Sequence, residues 1–182
     1  MSSLAVEGVE RVKASGWQAA TIVVLALTVC GIWPAHAQPK QVTGRATAVN
    51  AVLLKIGSDY VFLFGVDSVV RTQECLIGRV RWPCYDNAVE ALTEIIEAGD
   101  TTCTQAGPAD YLGRWLGVCT VAGKSVNDAY VRTGFGVAKR DETRDYVAAE
   151  DAAKAARIGL WQSQFQMPAD FRKSENIGID RP

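Results

Sequence analysis

Cysteine and histidine are the residue types of this chain best suited to covalent or metal chemistry, and it has five cysteines and one histidine. The histidine, His36, lies within Pro34–Ala37, directly after an apolar run at residues 19–33. An apolar run followed by an Ala-x-Ala pattern is typical of a secretory signal peptide. We therefore predict a signal peptide at residues 1–37, cleaved after Ala37. The alternative is an uncleaved membrane anchor, but the run is shorter than the roughly 20 residues of a membrane span.

Cleavage would remove both His36 and Cys30, and this limits the chemistry of the remaining chain. Nucleophiles activated by histidine and zinc sites with histidine ligands are then excluded. Four cysteines remain, and an even number in an exported chain predicts two disulfides. Of the three possible pairings, the short separations favour Cys75–Cys84 and Cys103–Cys119. Free buried thiols are the alternative, and a four-cysteine zinc site is disfavoured because no Cys-x-x-Cys pair is present.

The elements that would position these cysteines follow from the patterning of the chain. Alternating and apolar runs predict five strands, at residues 42–49, 51–56, 60–66, 101–106 and 114–121. Amphipathic runs predict three helices, at residues 86–98 (with Asp86 as its N-cap), 125–133 and 145–157. This order favours an α+β fold, a five-stranded OB-fold β-barrel with about three α-helices. We expect one domain at residues 38–172 and a flexible tail at residues 173–182.

The charge balance argues against one class of function. The chain has 19 Lys and Arg residues against 20 Asp and Glu residues, a formal net charge of -1. A protein that binds the phosphates of nucleic acids is usually basic, so we expect no strong nucleic-acid binding. The mixed-sign run at residues 139–144 is interpreted as a solvated surface and not as a phosphate track.

An ordered series of sequence pieces resembles the thermonuclease (staphylococcal nuclease-like) family. The pieces are Val49–Asp67, Gln73–Cys75, Leu112–Arg114, Gly117–Cys119, Gly123–Gly134 and Gly159–Trp161. The resemblance extends over about residues 43–172 and implies an OB-fold barrel with three helices, in agreement with the patterning. The placement of the cysteines is similar to that in secreted bacterial members of the family.

The resemblance also identifies the family's catalytic positions, and three of them carry apolar residues here. The calcium-binding aspartate of the motif Asp-Gly-Asp-Thr falls on Val52, the first catalytic arginine on Phe62 and the general-base glutamate on Val70. Valine cannot accept a proton or ligate calcium, and phenylalanine cannot donate hydrogen bonds to phosphate. A general base or a charge-stabilising donor contributes roughly 10²–10⁴-fold to such a reaction. We therefore expect very little nuclease activity.

Three other family positions keep polar side chains and are the candidate binding residues. Asp67 matches a calcium ligand, and Arg114 matches the second catalytic arginine, which makes it a vestigial catalytic candidate. Tyr111 lies in the stretched motif Tyr111–Arg114, where the family has a base-stacking tyrosine. Asp67 could instead cap a turn, and Arg114 could instead pair with a carboxylate. We expect no intact catalytic site and no metal site.

Within the family, the chain resembles the secreted thermonuclease-like members named for succinoglycan (exopolysaccharide) biosynthesis. This resemblance implies an exported, catalytically inactive domain, periplasmic or secreted, with an accessory role in exopolysaccharide production. Its expected partner is an envelope protein or a polysaccharide, with no cofactor and no membrane span after cleavage. The alternative is a weak or altered extracytoplasmic calcium-dependent nuclease that acts on DNA or RNA phosphodiesters, and calcium is expected only in that case.

Overall fold

The computed structural model describes residues 38–177. The predicted signal peptide at residues 1–37 and the last part of the predicted tail, residues 178–182, lie outside the described residues. The helices of the described part are α1 Cys84–Ile96, α2 Val126–Arg132, α3 Val147–Ala156 and α4 Pro168–Ser174, with a short 3-10 helix at Gly159–Gln162. Its strands are β1 Gln41–Gly44, β2 Ala46–Ala48, β3 Leu53–Ile56, β4 Asp59–Leu63, β5 Val66–Asp67, β6 Cys75–Ile77, β7 Val80–Trp82, β8 Thr101–Ala109, β9 Trp115–Val121, β10 Lys124–Ser125 and β11 Val137–Ala138. Among these described helices, none is both long and apolar enough to cross a membrane.

Seven of these strands form one mixed sheet, in the order β1-β8-β9-β4-β3-β2, with β10 beside β9. β4 and β9 are parallel, whereas the other pairs in this sheet are antiparallel. Only Arg45 separates β1 from β2, so one segment of chain supplies both ends of the strand order. The sheet curls into a half-barrel, and the predicted α+β, OB-like fold class is confirmed at this coarser level.

The described part has more strands than the predicted five, because predicted strands are divided and short strands were not predicted; one predicted strand also has the wrong extent. The strand predicted at residues 42–49 is divided at Arg45, since β1 pairs with β8 while β2 pairs with β3. The strand predicted at residues 101–106 continues to Ala109, which pairs with Trp115 beyond an irregularity in the register. Both boundaries are set by the neighbouring strand, which the local sequence pattern does not identify.

A glycine turn breaks the strand predicted at residues 60–66 and thereby positions Asp67. Gly65 has φ +73°, and a Cβ atom at this position would lie 2.4 Å from Thr143 Cγ2. Only glycine adopts this conformation without strain and leaves the necessary space. The turn directs the chain into β5, which pairs with β11 in a separate two-stranded sheet and carries Asp67 at its end.

A hairpin that the sequence analysis did not predict lies ahead of α1. β6 and β7 pair across a two-residue turn in which Gly78 has φ +64°, as hairpin turns with glycine at the first central position require. The Cys75–Cys84 disulfide ties β6 to the first residue of α1, with the two Cα atoms 6.0 Å apart. The Cys103–Cys119 disulfide joins directly opposed residues of β8 and β9. Both predicted disulfides are confirmed.

The three predicted helices are present with shifted ends, and there is a fourth in the described part of the chain. α1 begins ahead of the predicted cap Asp86, because Pro83 occupies the N-cap and Asp86 lies in the first turn. α2 begins after Ser125, whose Oγ accepts a hydrogen bond from the Asp128 amide at 3.1 Å. α4 starts with a proline, which suits a first turn. It extends into the segment predicted as a tail at residues 173–182.

Three apolar clusters hold these elements together. The main core fills the curve of the sheet, where Leu54 and Trp115 lie in the same cluster as Tyr130 of α2, all of them at most 1% exposed. A second cluster lies beneath the β6–β7 hairpin and includes Val69. A third contains Phe62 on the opposite face of β4. The second and third clusters hold two walls of the cavity described next.

Candidate functional site

A cavity of about 270 Å³ opens where the loops after β2 and β5 meet the end of α4. Its lining includes Val52, Phe62, Asp67, Val70 and Arg114. Five of the six residues assigned from the family resemblance are thus neighbours in one cavity, although they come from separate segments of the chain. Tyr111 is the exception and is not part of the lining.

Apolar side chains form one wall of this cavity. Phe62 is only 3% exposed and packs with Leu53 and Leu116 of the neighbouring strands. Val52 lies at the end of a loop that is fixed by a 2.9 Å hydrogen bond from its own amide to Asn50 Oδ1. Together with Val70, these residues present only hydrocarbon where a hydrolase would need a base or a charged donor.

Asp67 forms a buried salt bridge with Arg172, a residue for which the sequence analysis had no role. Both carboxylate oxygens accept hydrogen bonds from the guanidinium: Nη1 donates to Oδ1 at 3.0 Å, and Nη2 donates to Oδ2. The Ser68 amide also donates to Oδ1, at 2.8 Å. The side chains of Asp67 and Arg172 are 4% and 12% exposed. Both carboxylate oxygens therefore already accept hydrogen bonds from the protein itself, two on Oδ1 and one on Oδ2.

Arg114 pairs with a carboxylate in the turn that precedes β9. Its Nε donates to Asp110 Oδ2 at 2.6 Å, and its guanidinium lies over the Phe62 ring, 5.2 Å from the centroid. Burial raises the pKa of Asp110, but hydrogen bonds from Arg114 and from the Leu112 amide outweigh burial and hold that pKa below its ordinary value. The Asp110 carboxylate thus holds the guanidinium at the edge of the cavity.

The same turn places Tyr111 away from the cavity. Asp110 Oδ1 accepts hydrogen bonds from the amides of Leu112 and Arg114, at 2.9 and 2.8 Å. This arrangement leaves Tyr111 at the tip of the turn with 89% of its surface exposed. A binding role for Tyr111 stays a prediction.

Ser68 lines the cavity, but its hydroxyl group is already engaged. Its Oγ donates to the carbonyl oxygen of Phe135 at 2.8 Å and lies 3.2 Å from the hydroxyl of Tyr130. Burial raises the pKa of Tyr130 well above its ordinary value, so this phenol stays neutral. Since neither neighbour can remove the serine proton, Ser68 is not an activated nucleophile.

Arg71 and Tyr85 complete the cavity, and both were missed by the sequence analysis. The exposed Arg71 guanidinium lies over the Tyr85 ring, 4.8 Å from the centroid, and both residues line the cavity. Tyr85 belongs to α1 next to the Cys75–Cys84 disulfide, which fixes this end of the helix. The only available signal was the closeness of Arg71 to Val70 in the sequence.

The residues of this cavity do not fit calcium, the cation that the family resemblance implies. Calcium needs about 6–8 oxygen ligands, and Val52 and Val70 supply none. The oxygens of Asp67 already accept hydrogen bonds from Arg172, and that guanidinium would repel a second cation. Among residues 38–177, no group of three or more acidic, cysteine or histidine side chains is arranged to hold a metal ion.

Comparison with known proteins identifies the fold family. The profile of the family described as Staphylococcal nuclease homologue matches residues 60–163, a range that contains Phe62, Asp67, Val70 and Arg114. A search of curated proteins finds no matching relative. The profile match extends over more than half of the chain and agrees with the OB-like topology described above. This protein therefore belongs to the staphylococcal nuclease homologue family.

Proposed function

We propose that this protein is an exported, non-catalytic thermonuclease-like domain with an accessory role in exopolysaccharide (succinoglycan) production. The observation that supports the loss of catalysis is the Asp67–Arg172 salt bridge in the lining of this cavity. It occupies the one acidic side chain that remains at the family's metal position.

The chemistry of hydrolysis supports the same proposal. Phosphodiester cleavage needs an activated water, a cation near the phosphate and donors for the developing negative charge. Val70 cannot activate water, and the surroundings of Asp67 do not fit a metal ion. Arg114 remains as a donor, but its carboxylate partner Asp110 already holds it. One donor without a base or metal ion provides only a small part of the required rate enhancement.

The proposed location and pathway depend on different observations. Two disulfides in so small a domain are compatible with an oxidising, extracytoplasmic compartment. The exopolysaccharide role is supported by the resemblance to secreted family members named for succinoglycan biosynthesis. Nothing in the cavity resembles the machinery of sugar transfer, so the proposed role is accessory.

The loss of catalysis can be tested with the purified protein, single-stranded DNA and millimolar calcium. We expect no cleavage and no rise in melting temperature with calcium. The melting curve is sensitive because a ligand at 100 times its dissociation constant stabilises a protein by about 2.7 kcal/mol. The Arg114→Ala variant is the control: a rise in melting temperature with calcium, together with cleavage that this variant abolishes, would establish the nuclease alternative.

The exopolysaccharide role requires a test in the cell. Deletion of the gene should lower the yield of exopolysaccharide or shorten its chains, as measured by size-exclusion chromatography of the secreted polymer. Complementation by the unmodified gene should restore production. An unchanged polymer after deletion would contradict the accessory role without restoring a nuclease function.

A further inference from the structure

The cavity carries an excess of positive charge within a chain that is slightly acidic overall. Among residues 38–177, Arg71, Arg114 and Arg172 line it together with one carboxylate, Asp67, and Asp110 pairs with Arg114 from outside the lining. Because the net charge of the chain is -1, this excess is a local property of the cavity. A concave site lined by one sign of charge attracts ligands of the opposite sign.

The three guanidinium groups differ in how free they are to bind a ligand. Arg172 uses both terminal nitrogens on Asp67, and Arg114 uses Nε on Asp110. Among residues 38–177, no carboxylate lies within ion-pair distance of Arg71. Stacking on Tyr85 holds this guanidinium in place and leaves the N–H groups at its edge available. Arg71 is therefore the cation best prepared to bind an anion.

The aromatic rings of the cavity argue against a nucleotide as that ligand. Binding of single-stranded nucleic acid depends on exposed rings on which bases stack and on a groove of cations along the backbone. Here Arg71 covers one face of Tyr85, and Arg114 covers one face of Phe62, which is only 3% exposed. A cavity of about 270 Å³ has room for one small ring, such as a single sugar of a longer chain.

We propose that this cavity binds the carboxylate-bearing sugar of an acidic polysaccharide, with Arg71 as the residue that contacts the carboxylate. A sugar acid has an apolar C–H face and a charged edge, which match the apolar side chains of Val52 and Val70 and the Arg71 guanidinium in the same lining. An arginine binds a carboxylate through two parallel hydrogen bonds. The inference rests on the proposed function, because it assigns the ligand class of the same non-catalytic cleft.

Isothermal titration of the full, purified protein with an oligomer of glucuronic acid tests this proposal. A neutral glucan oligomer and a single-stranded deoxyoligonucleotide of similar length serve as comparison ligands. We expect the oligoglucuronate to bind at least tenfold more tightly than either. Arg71→Gln should weaken its binding at least tenfold, and Arg71→Lys, which keeps the charge but not the paired donors, should weaken it less.

Arg79→Gln is the matched control, because Arg79 is an exposed arginine of the β6–β7 turn outside the cavity. It should change the affinity less than twofold, and all variants should keep the melting temperature of the unmodified protein. Equal binding of the neutral glucan, tighter binding of the oligonucleotide, an equal loss in Arg79→Gln or no binding at all would each overturn the assignment.

The two proposals fail in distinguishable ways. If the protein binds no oligoglucuronate and also cleaves no DNA, the sugar-acid ligand is refuted, and the proposed non-catalytic function is unaffected. If the protein cleaves DNA in a calcium-dependent way, the proposed non-catalytic function is refuted. The reason for expecting a sugar in this cleft is then lost as well.

Discussion

Replacement of Arg172 by methionine is the most direct test of how this cleft is built. Arg172→Met removes the guanidinium but keeps an unbranched side chain of comparable length. The Asp67 carboxylate, 4% exposed in its side chain, would then be buried without its partner. Breaking a buried ion pair by removing one member costs about 3–5 kcal/mol, because the remaining charge is uncompensated.

Urea unfolding followed by tryptophan fluorescence measures this loss. With an m value of about 2 kcal/mol/M, the expected loss lowers the urea midpoint by about 1.5–2.5 M, while m itself stays unchanged. Arg132→Met is the matched control, since Arg132 pairs with Asp128 on the surface, with side chains 57% and 32% exposed. Exposed pairs contribute about 0.2–1 kcal/mol, so this control should change the midpoint much less.

The double variant Asp67→Asn/Arg172→Met separates lost charge compensation from lost packing. A neutral amide at position 67 needs no cation, so the double variant should recover at least half of the stability that Arg172→Met loses. The reasoning is refuted if Arg172→Met costs less than about 1 kcal/mol, the value of a surface pair. It is also refuted if the double variant is less stable than the single one.

Three further predictions concern the rest of the chain. The Cys103→Ala/Cys119→Ala variant should unfold with about 3 kcal/mol less free energy, because the disulfide closes a loop of 16 residues, and urea unfolding under non-reducing conditions measures this. Burial raises the pKa of Glu150, but hydrogen bonds from two cationic side chains and a backbone amide outweigh burial and hold that pKa below its ordinary value of 4.5. Its stabilising contribution should be present above pH 4.5 and disappear as pH falls through the lowered folded pKa, so Glu150→Gln should lose less stability on acidification than the unmodified protein. The exported form should begin at Gln38, and N-terminal sequencing that finds Met1 or Ser2 in the membrane fraction would indicate an anchor instead.

The features that could be predicted from the sequence are those set by local pattern. The Cys75–Cys84 and Cys103–Cys119 pairs lie close in sequence, the second on strands whose own alternation was visible. α2 follows a serine cap, and its ends were predicted within a residue. The grouping of Val52, Phe62 and Val70 around one cleft followed from the family resemblance.

The features that could not be predicted depend on contacts between distant segments. Arg172 reaches Asp67 across 105 positions, and no local pattern indicates which distant cation compensates a buried carboxylate. The division of the first strand at Arg45 depends on two different neighbouring strands. The contact of Arg71 with Tyr85 joins the loop after β5 to the first turn of α1. In each case the partner of a residue or strand is set by tertiary contacts and not by the local sequence.

Asp67, which the family resemblance matches to a calcium ligand, need not indicate catalysis. Because Arg172 packs against it, loss of either side chain alone would leave an uncompensated charge in a largely buried position, at a cost of about 3–5 kcal/mol. The pair therefore has a structural role that requires no metal ion. Because the Arg172 guanidinium compensates the charge of Asp67, the stability of the protein should not depend on calcium. A protein with a metal ion bound in this cleft would lose stability when a chelator removes the ion. The melting temperature should accordingly be the same in millimolar calcium and in excess EDTA, and a difference between the two would show that Asp67 still binds a metal ion despite Arg172.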